Sequence, residues 1–334
     1  MLIDITLPPL PWDEIPEHAR KAEEIGFDCI WMGETSRDPF IPLALAAEHT
    51  KRIKIGTSVC VAFPRSPMTV AYTAWDLQTL SHGRFVLGLG TQVRGHMERR
   101  FSVRWDPPGS KMREYVSALR TIWDCWQNGR PLNFRGGFYN FSLMTPFFDP
   151  GPIKYPHIPI HLAGVNPYMC RLAGEVCDGL HIHPFHSPKY VKEVVLPNIE
   201  KGLRESGRKR KDVQLVAGVF IVTGGSEEEI RQTEEYIRFQ IAFYASTKTY
   251  KKVMELHGWG EISERLYRKS LKGDWASMAG EITDDIFETF AVKGKPHEVI
   301  EEVKNRHRGL ADRLILYPIP ALAHLETSMW GEVI

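Results

Sequence analysis

Four histidines are placed where chemistry can be done. His181, His183 and His186 fall in His181-Ile182-His183-Pro184-Phe185-His186 at the end of one expected strand, and His161 lies on its neighbour. Strand alternation puts His181 and His183 on one side. Imidazole titrates near neutral pH, so one of these rings facing a reacting molecule can hold or pass a proton. Three or four such nitrogens can instead bind zinc, the chemistry of a barrel hydrolase. A complete ligand set with carboxylate partners is not evident, so proton handling ranks ahead of a metal, and simple packing is the commonest fate of any one histidine.

Glu34 belongs to Gly33-Glu34-Thr35-Ser36-Arg37-Asp38, a polar cluster directly after a buried strand. In parallel α/β folds ligands sit at that edge, although a carboxylate there can also cap a helix or face solvent. With His96 and His183, Glu34 makes up the expected catalytic set. If it takes part in chemistry, Glu34→Gln lowers turnover and leaves cofactor affinity near normal. Arg94, Arg99, Arg100 and Arg104 crowd the segment from Arg94 to Lys111, read as a loop. Such a cluster can clamp phosphate or carboxylate, or form a solvated face.

The elements that must position these groups alternate regularly. From Arg52 to Phe101 the chain reads strand, helix, strand: an apolar run from Ile53 to Cys60, a helix opening at Thr69, and a second run from Phe85 to Leu89. Strands joined by a helical crossover pair in parallel and end at one edge, here Thr57-Ser58-Val59 and Gly88-Leu89-Gly90-Thr91-Gln92. Small residues there admit a flat ligand, or allow close packing. Further strands are expected at Met1–Leu7, Cys29–Met32, Ile158–Leu162, Gly179–His183, Val213–Val222 and Arg313–Tyr317. Helices lie between them, one opened by Ser226 and Glu229 as a capping box. Phe134–Phe141 reads as a surface hairpin around Gly136-Gly137. Residues 247–286 break into short helical pieces, an insertion before the last unit that can serve as a lid, a dimer contact or packing. Eight strand–helix units in one domain over 1–334 match a (β/α)8 TIM barrel.

Forty-two basic and 41 acidic residues give a net charge of +1, so no field favours nucleic acid or a membrane surface, and a small-molecule substrate is expected. No stretch reaches the length of a membrane span and no signal-like run opens the chain, which suggests a cytoplasmic protein. Five cysteines without short paired spacing are expected to be reduced and mostly buried.

At Gly56-Thr57-Ser58-Val59, at Gly83-Arg84-Phe85-Val86-Leu87-Gly88-Leu89-Gly90, and from Leu162-Ala163-Gly164 through Ala173-Gly174-Glu175-Val176-Cys177-Asp178-Gly179, the chain resembles the bacterial luciferase-like superfamily over nearly its whole length. Arg65-Ser66-Pro67-Met68-Thr69 and His96-Met97-Glu98-Arg99-Arg100-Phe101 are similar to an actinobacterial branch assigned to the deazaflavin coenzyme F420. The resemblance implies an oxidoreductase holding an isoalloxazine-like ring at the barrel's C-terminal mouth. It also implies a bulging third strand behind the ring, with a non-prolyl cis peptide at Ser58-Val59. Thr57, Ser58, Val59, Gly90, Thr91 and Gln92 would contact the cofactor. The backbone N–H groups of Ala163, Gly164 and Val165, ahead of a helix, would suit its phosphate, unless they form a plain tight turn. Related deazaflavin enzymes follow the acidic residue with histidine; Thr35 departs from that pattern. Gln92 and Val93 replace the acidic residue of sugar-phosphate dehydrogenases, which argues against that substrate. Relatives are commonly homodimers. The alternatives are an FMN-dependent monooxygenase supplied with reduced flavin by a partner reductase, and a non-catalytic flavin-binding relative.

Overall fold

The computed structural model describes residues 1–317 and Trp330. Eight parallel strands form a closed ring: β1 Leu2–Thr6, β2 Cys29–Met32, β3 Lys54–Thr57, β4 Phe85–Gly90, β5 Ile160–Ala163, β6 Gly179–Ile182, β7 Gln214–Val222 and β8 Arg313–Leu316. Each pairs with its sequence neighbours, and β8 closes on β1 with Leu2 opposite Arg313 and Ile5 opposite Leu316. The eight strands, outer helices and (β/α)8 architecture agree with the sequence reading. Residues 318–329 and 331–334 of the expected single domain lie outside the described residues.

The strands are apolar on both faces because helices cover the outside and side chains fill the inside. Inside the ring, Cys29, Trp31, Val86, Val216 and Ile315 form a buried cluster. Polar groups share this interior. Asp4 accepts from Arg313 Nε at 2.8 Å and Nη2 at 2.5 Å, and from the Trp31 indole N–H at 2.8 Å. The pair is sealed, with Asp4 0% and Arg313 1% exposed. A Cβ on Gly56 would collide with the Trp31 ring, and one on Gly179 would stand 2.5 Å from His161, so these glycines make room for the large interior side chains.

The outer helices begin where local chemistry permits. Ser226 accepts from the Glu229 N–H, the expected half of a capping box, while the Glu229 carboxylate reaches the Gly225 N–H. The helical crossover between β6 and β7 contains a π-helical turn at Val191–Val195, just ahead of Pro197, which offers no N–H to an α-helical ladder. The hairpin forms at Phe134–Arg135 and Asn140–Phe141, its turn held by Gly137, Phe138 and Tyr139 N–H groups on Glu114. A three-residue strand, Ala291–Lys293, was too short to read from the sequence and pairs with the end of β7. The supposed arginine loop is partly helical, over Arg94–Arg99. All five cysteines are free and buried.

Candidate active site

The third strand stops at Thr57 and resumes as Cys60–Val61, with Ser58 and Val59 forming a bulge between. The Ser58-Val59 peptide is cis, as the resemblance implies. The glycines around it serve the bulge. A Cβ on Gly88 would collide with the Thr57 carbonyl, and one on Gly90 would stand 2.5 Å from a Val59 methyl. Thr57 is fully buried, donating to the Gly88 carbonyl and accepting from the Gly88 N–H, so its hydroxyl ties β3 to β4. Ser58 and Val59 are the partly open residues of this corner. The Gly90 position lies 3.9 Å from Ala163 Cβ when a Cβ is built on it. The Val59 side chain therefore fills the space over buried Gly90, and Ser58, Val59 and Ala163 are the partly open residues at the ends of β3 and β5.

Glu34 is built into the same bulge. Its carboxylate accepts from the Val61 N–H at 2.8 Å and from Arg65 Nη1 at 2.8 and 3.0 Å, and its own N–H donates to the Val59 carbonyl at 3.3 Å. Arg65 also reaches Asp38 at 2.7 Å. At 6% side-chain exposure Glu34 clamps the two sides of the bulge together. No role for Arg65 is legible in its neighbours; its signal is membership of the Arg65–Thr69 motif.

The four histidines separate. His181 accepts or donates through Nδ1 to Ser58 Oγ at 3.3 Å, directly behind the bulge, and its ring lies 5.2 Å from His161 and 4.6 Å from Trp31. Burial holds both imidazoles neutral, His181 at about 3 and His161 well below its ordinary value. His186 turns away to His307, with 3.0 Å between their Nε2 atoms. His183 faces the mouth against Tyr244 and Tyr250, with ring centroids at 4.3 and 4.7 Å. Its Nδ1 accepts from the Phe185 N–H, which places the ring proton on Nε2, and burial pushes its pKa to about 3. It is a neutral hydrogen-bond donor. Among the described residues no group of three or more His, Cys, Asp or Glu side chains is arranged to hold a metal ion.

The remaining nominated residues line the rim. His96 is exposed on the Arg94–Arg99 helix. Arg94 pairs with Glu98 and Arg104 with Asp106, Arg100 donates to the Thr35 carbonyl, and Arg99 is exposed, so the arginines do not converge. Thr91 and Gln92 are partly open, Gln92 with a left-handed φ of 57°. Before the helix Pro167–Val176, the Gly164 N–H already donates to the His181 carbonyl and the Asn166 side chain caps Met169. Of the three proposed phosphate donors, Ala163 and Val165 are the partly open ones.

A family model described as luciferase-like monooxygenase matches residues 4–313. An uncharacterized protein of Mycobacterium tuberculosis is 46% identical over 293 residues, covering 88% of this chain and 86% of its own. The 5,10-methylenetetrahydromethanopterin reductase of Archaeoglobus fulgidus is 29% identical over 304 residues, covering 89% and 87%. Among solved structures, the coenzyme F420-dependent tetrahydromethanopterin reductase of Methanopyrus kandleri superposes with a TM-score of 0.80 at 23% identity, over 100% of this chain and 98% of that one. With the barrel, the bulge and this match over nearly the whole chain, the protein belongs to the luciferase-like monooxygenase family of oxidoreductases.

Proposed function

We propose that the protein transfers a hydride between coenzyme F420 and a small organic substrate at the barrel mouth. The observation that carries the reading is similarity over nine-tenths of the chain to a 5,10-methylenetetrahydromethanopterin reductase, joined to the Ser58-Val59 bulge that interrupts the third strand at the barrel mouth. When bound, F420 supplies a two-electron hydride carrier; the protein supplies orientation and protons. Ser58 and Val59 back the ring, with Thr57 and Gly90 bracing them from behind. Thr91 and Gln92 flank it, and Ala163 and Val165 stand toward the phosphate, with Gly164 tied to the His181 carbonyl behind them. His183 orients the substrate as a neutral donor. His96, exposed at the rim, is the candidate group for passing a proton to the reacting molecule. Glu34 and Arg65 keep the bulge in shape. The protein is further proposed to act as a cytoplasmic homodimer, with reduced cofactor furnished by a separate enzyme. Among the described residues no helix is long and apolar enough to cross a membrane.

The family's monooxygenase description supports a second reading, FMN chemistry with oxygen in the same mouth. A fluorescence titration decides between them. Saturable F420 binding with weaker binding of reduced FMN is expected, and tight FMN binding with no affinity for F420 would sink the first reading.

The clamp changes what is expected of Glu34→Gln. A neutral amide cannot hold Arg65 and the Val61 N–H as the carboxylate does, so the bulge loosens. The F420 Kd should rise about tenfold together with a fall in turnover, about the cost of one charge-assisted hydrogen bond. Unchanged Kd with reduced turnover would instead make Glu34 a group acting on the substrate.

A further inference from the structure

The mouth has two chemically different halves. On the β2–β3 side stand the Glu34, Arg65 and Asp38 charges. On the β6–β8 side stand rings. Val216 and Ile315 lie in the barrel interior, so alternation turns Phe220 and Tyr317 inward at the mouth, next to His183. Phe220 and Tyr317 have ring centroids 5.3 Å apart. Tyr244, from the helix Glu227–Ala245, and Tyr250, from the insertion, close over His183. The insertion thus reaches the wall of the site.

No salt bridge or charged hydrogen-bond partner is recorded for any of these side chains among the described residues. Burial raises the pKa of Tyr244, Tyr250 and Tyr317, and the groups that add to it are other phenols, so all three stay protonated. The Tyr244 and Tyr317 hydroxyls are 3.1 Å apart. Two phenols carry two O–H protons and their mutual hydrogen bond uses one, so the pair retains one donor. Either phenol can donate in this pair; with Tyr244 donating, Tyr317, immediately after β8, keeps its O–H for a ligand, and a phenol that accepts a hydrogen bond becomes a better donor. A carboxylate or phosphate here would lose its hydration with no cation among these side chains to replace it, whereas an uncharged oxygen needs only a donor.

Resting on the hydride-transfer reading, we propose that Tyr317, oriented by Tyr244, anchors the oxygen of an uncharged substrate whose apolar body lies against Tyr250, beside the His183 donor and with buried Phe220 packed behind. These residues would select uncharged carbonyl or hydroxyl compounds over anions. Tyr317 touches the substrate; Tyr244 is a positioning residue.

The test uses the full chain with acetophenone, benzoate and ethylbenzene as probes, their binding measured by ligand-observed NMR with and without F420. Wild-type protein should bind acetophenone at least tenfold more tightly than benzoate. Tyr317→Phe should weaken acetophenone about tenfold and leave ethylbenzene unchanged, and Tyr244→Phe should weaken acetophenone a few-fold. Benzoate binding as tightly as acetophenone, or an unaltered acetophenone affinity in Tyr317→Phe, would overturn the proposal. Should a variant fail to fold, the three-probe ranking in the wild type decides alone. Acetophenone selectivity in a protein that does not bind F420 would support the subsite and defeat the hydride-transfer reading.

Discussion

Between pH 7 and pH 5 the folded state is expected to lose on the order of 5 kcal/mol of stability, a large part of the 5–15 kcal/mol typical of a whole domain. The loss comes from imidazoles that the fold keeps neutral. In the unfolded chain His181, His183 and His186 take up protons below about pH 6.5. In the folded chain all three do so only near 3, and His161, held well below its ordinary value by burial, adds in the same direction. The unfolded state therefore binds more protons throughout the interval. The contribution is complete above about pH 6.5 and falls with pH, by about 2 kcal/mol per ring down to pH 5. Urea midpoints at the two pH values measure it. His181→Phe should remove about a third of the difference, and an equal difference in that variant would show that His181 is not the source.

Arg313→Met should cost about 3–5 kcal/mol, because it leaves the Asp4 carboxylate sealed in the barrel with the Trp31 indole as its remaining donor. Replacing both partners, as Asp4→Leu with Arg313→Met, should recover most of the loss, since neither charge is then stranded. Exposed pairs behave differently: Arg231 and Glu228 are 59% and 58% exposed, and removing that bridge should shift stability by less than about 1 kcal/mol. Guanidinium unfolding of the wild type and these three variants separates the cases. A double variant no better than Arg313→Met would mean that the loss comes from packing rather than from an unpaired charge.

Much of the barrel could be read because its strands are β-branched runs separated by helical periodicity, signals that depend only on near neighbours. The short strand Ala291–Lys293 escaped because three residues carry no period. The Ser58-Val59 bulge came from resemblance to a family, since nothing in the composition of Gly56 to Cys60 marks a cis peptide. The glycines were harder still. Gly88 and Gly90 could be singled out, but whether they cleared space for a ligand or for the chain depended on where Thr57 and Val59 lie across the strand pair, and they clear it for the chain. Likewise Arg65 on Glu34, Tyr244 on Tyr317 and Asp4 on Arg313 join residues far apart in sequence, and only the closed ring brings them into register.

The β1–β8 seam has a consequence during synthesis. Asp4 and Arg313 are 309 positions apart, so at roughly 5–20 residues per second β1 leaves the ribosome some 15–60 s before its second neighbour exists. Throughout that wait one edge of β1 is an open row of N–H and C=O groups, available to any extended chain nearby. An unpaired charge in the middle of a strand discourages such pairing. By that rule the same carboxylate that disfavours mispairing of the growing chain later becomes half of the bond that shuts the ring, once Arg313 arrives.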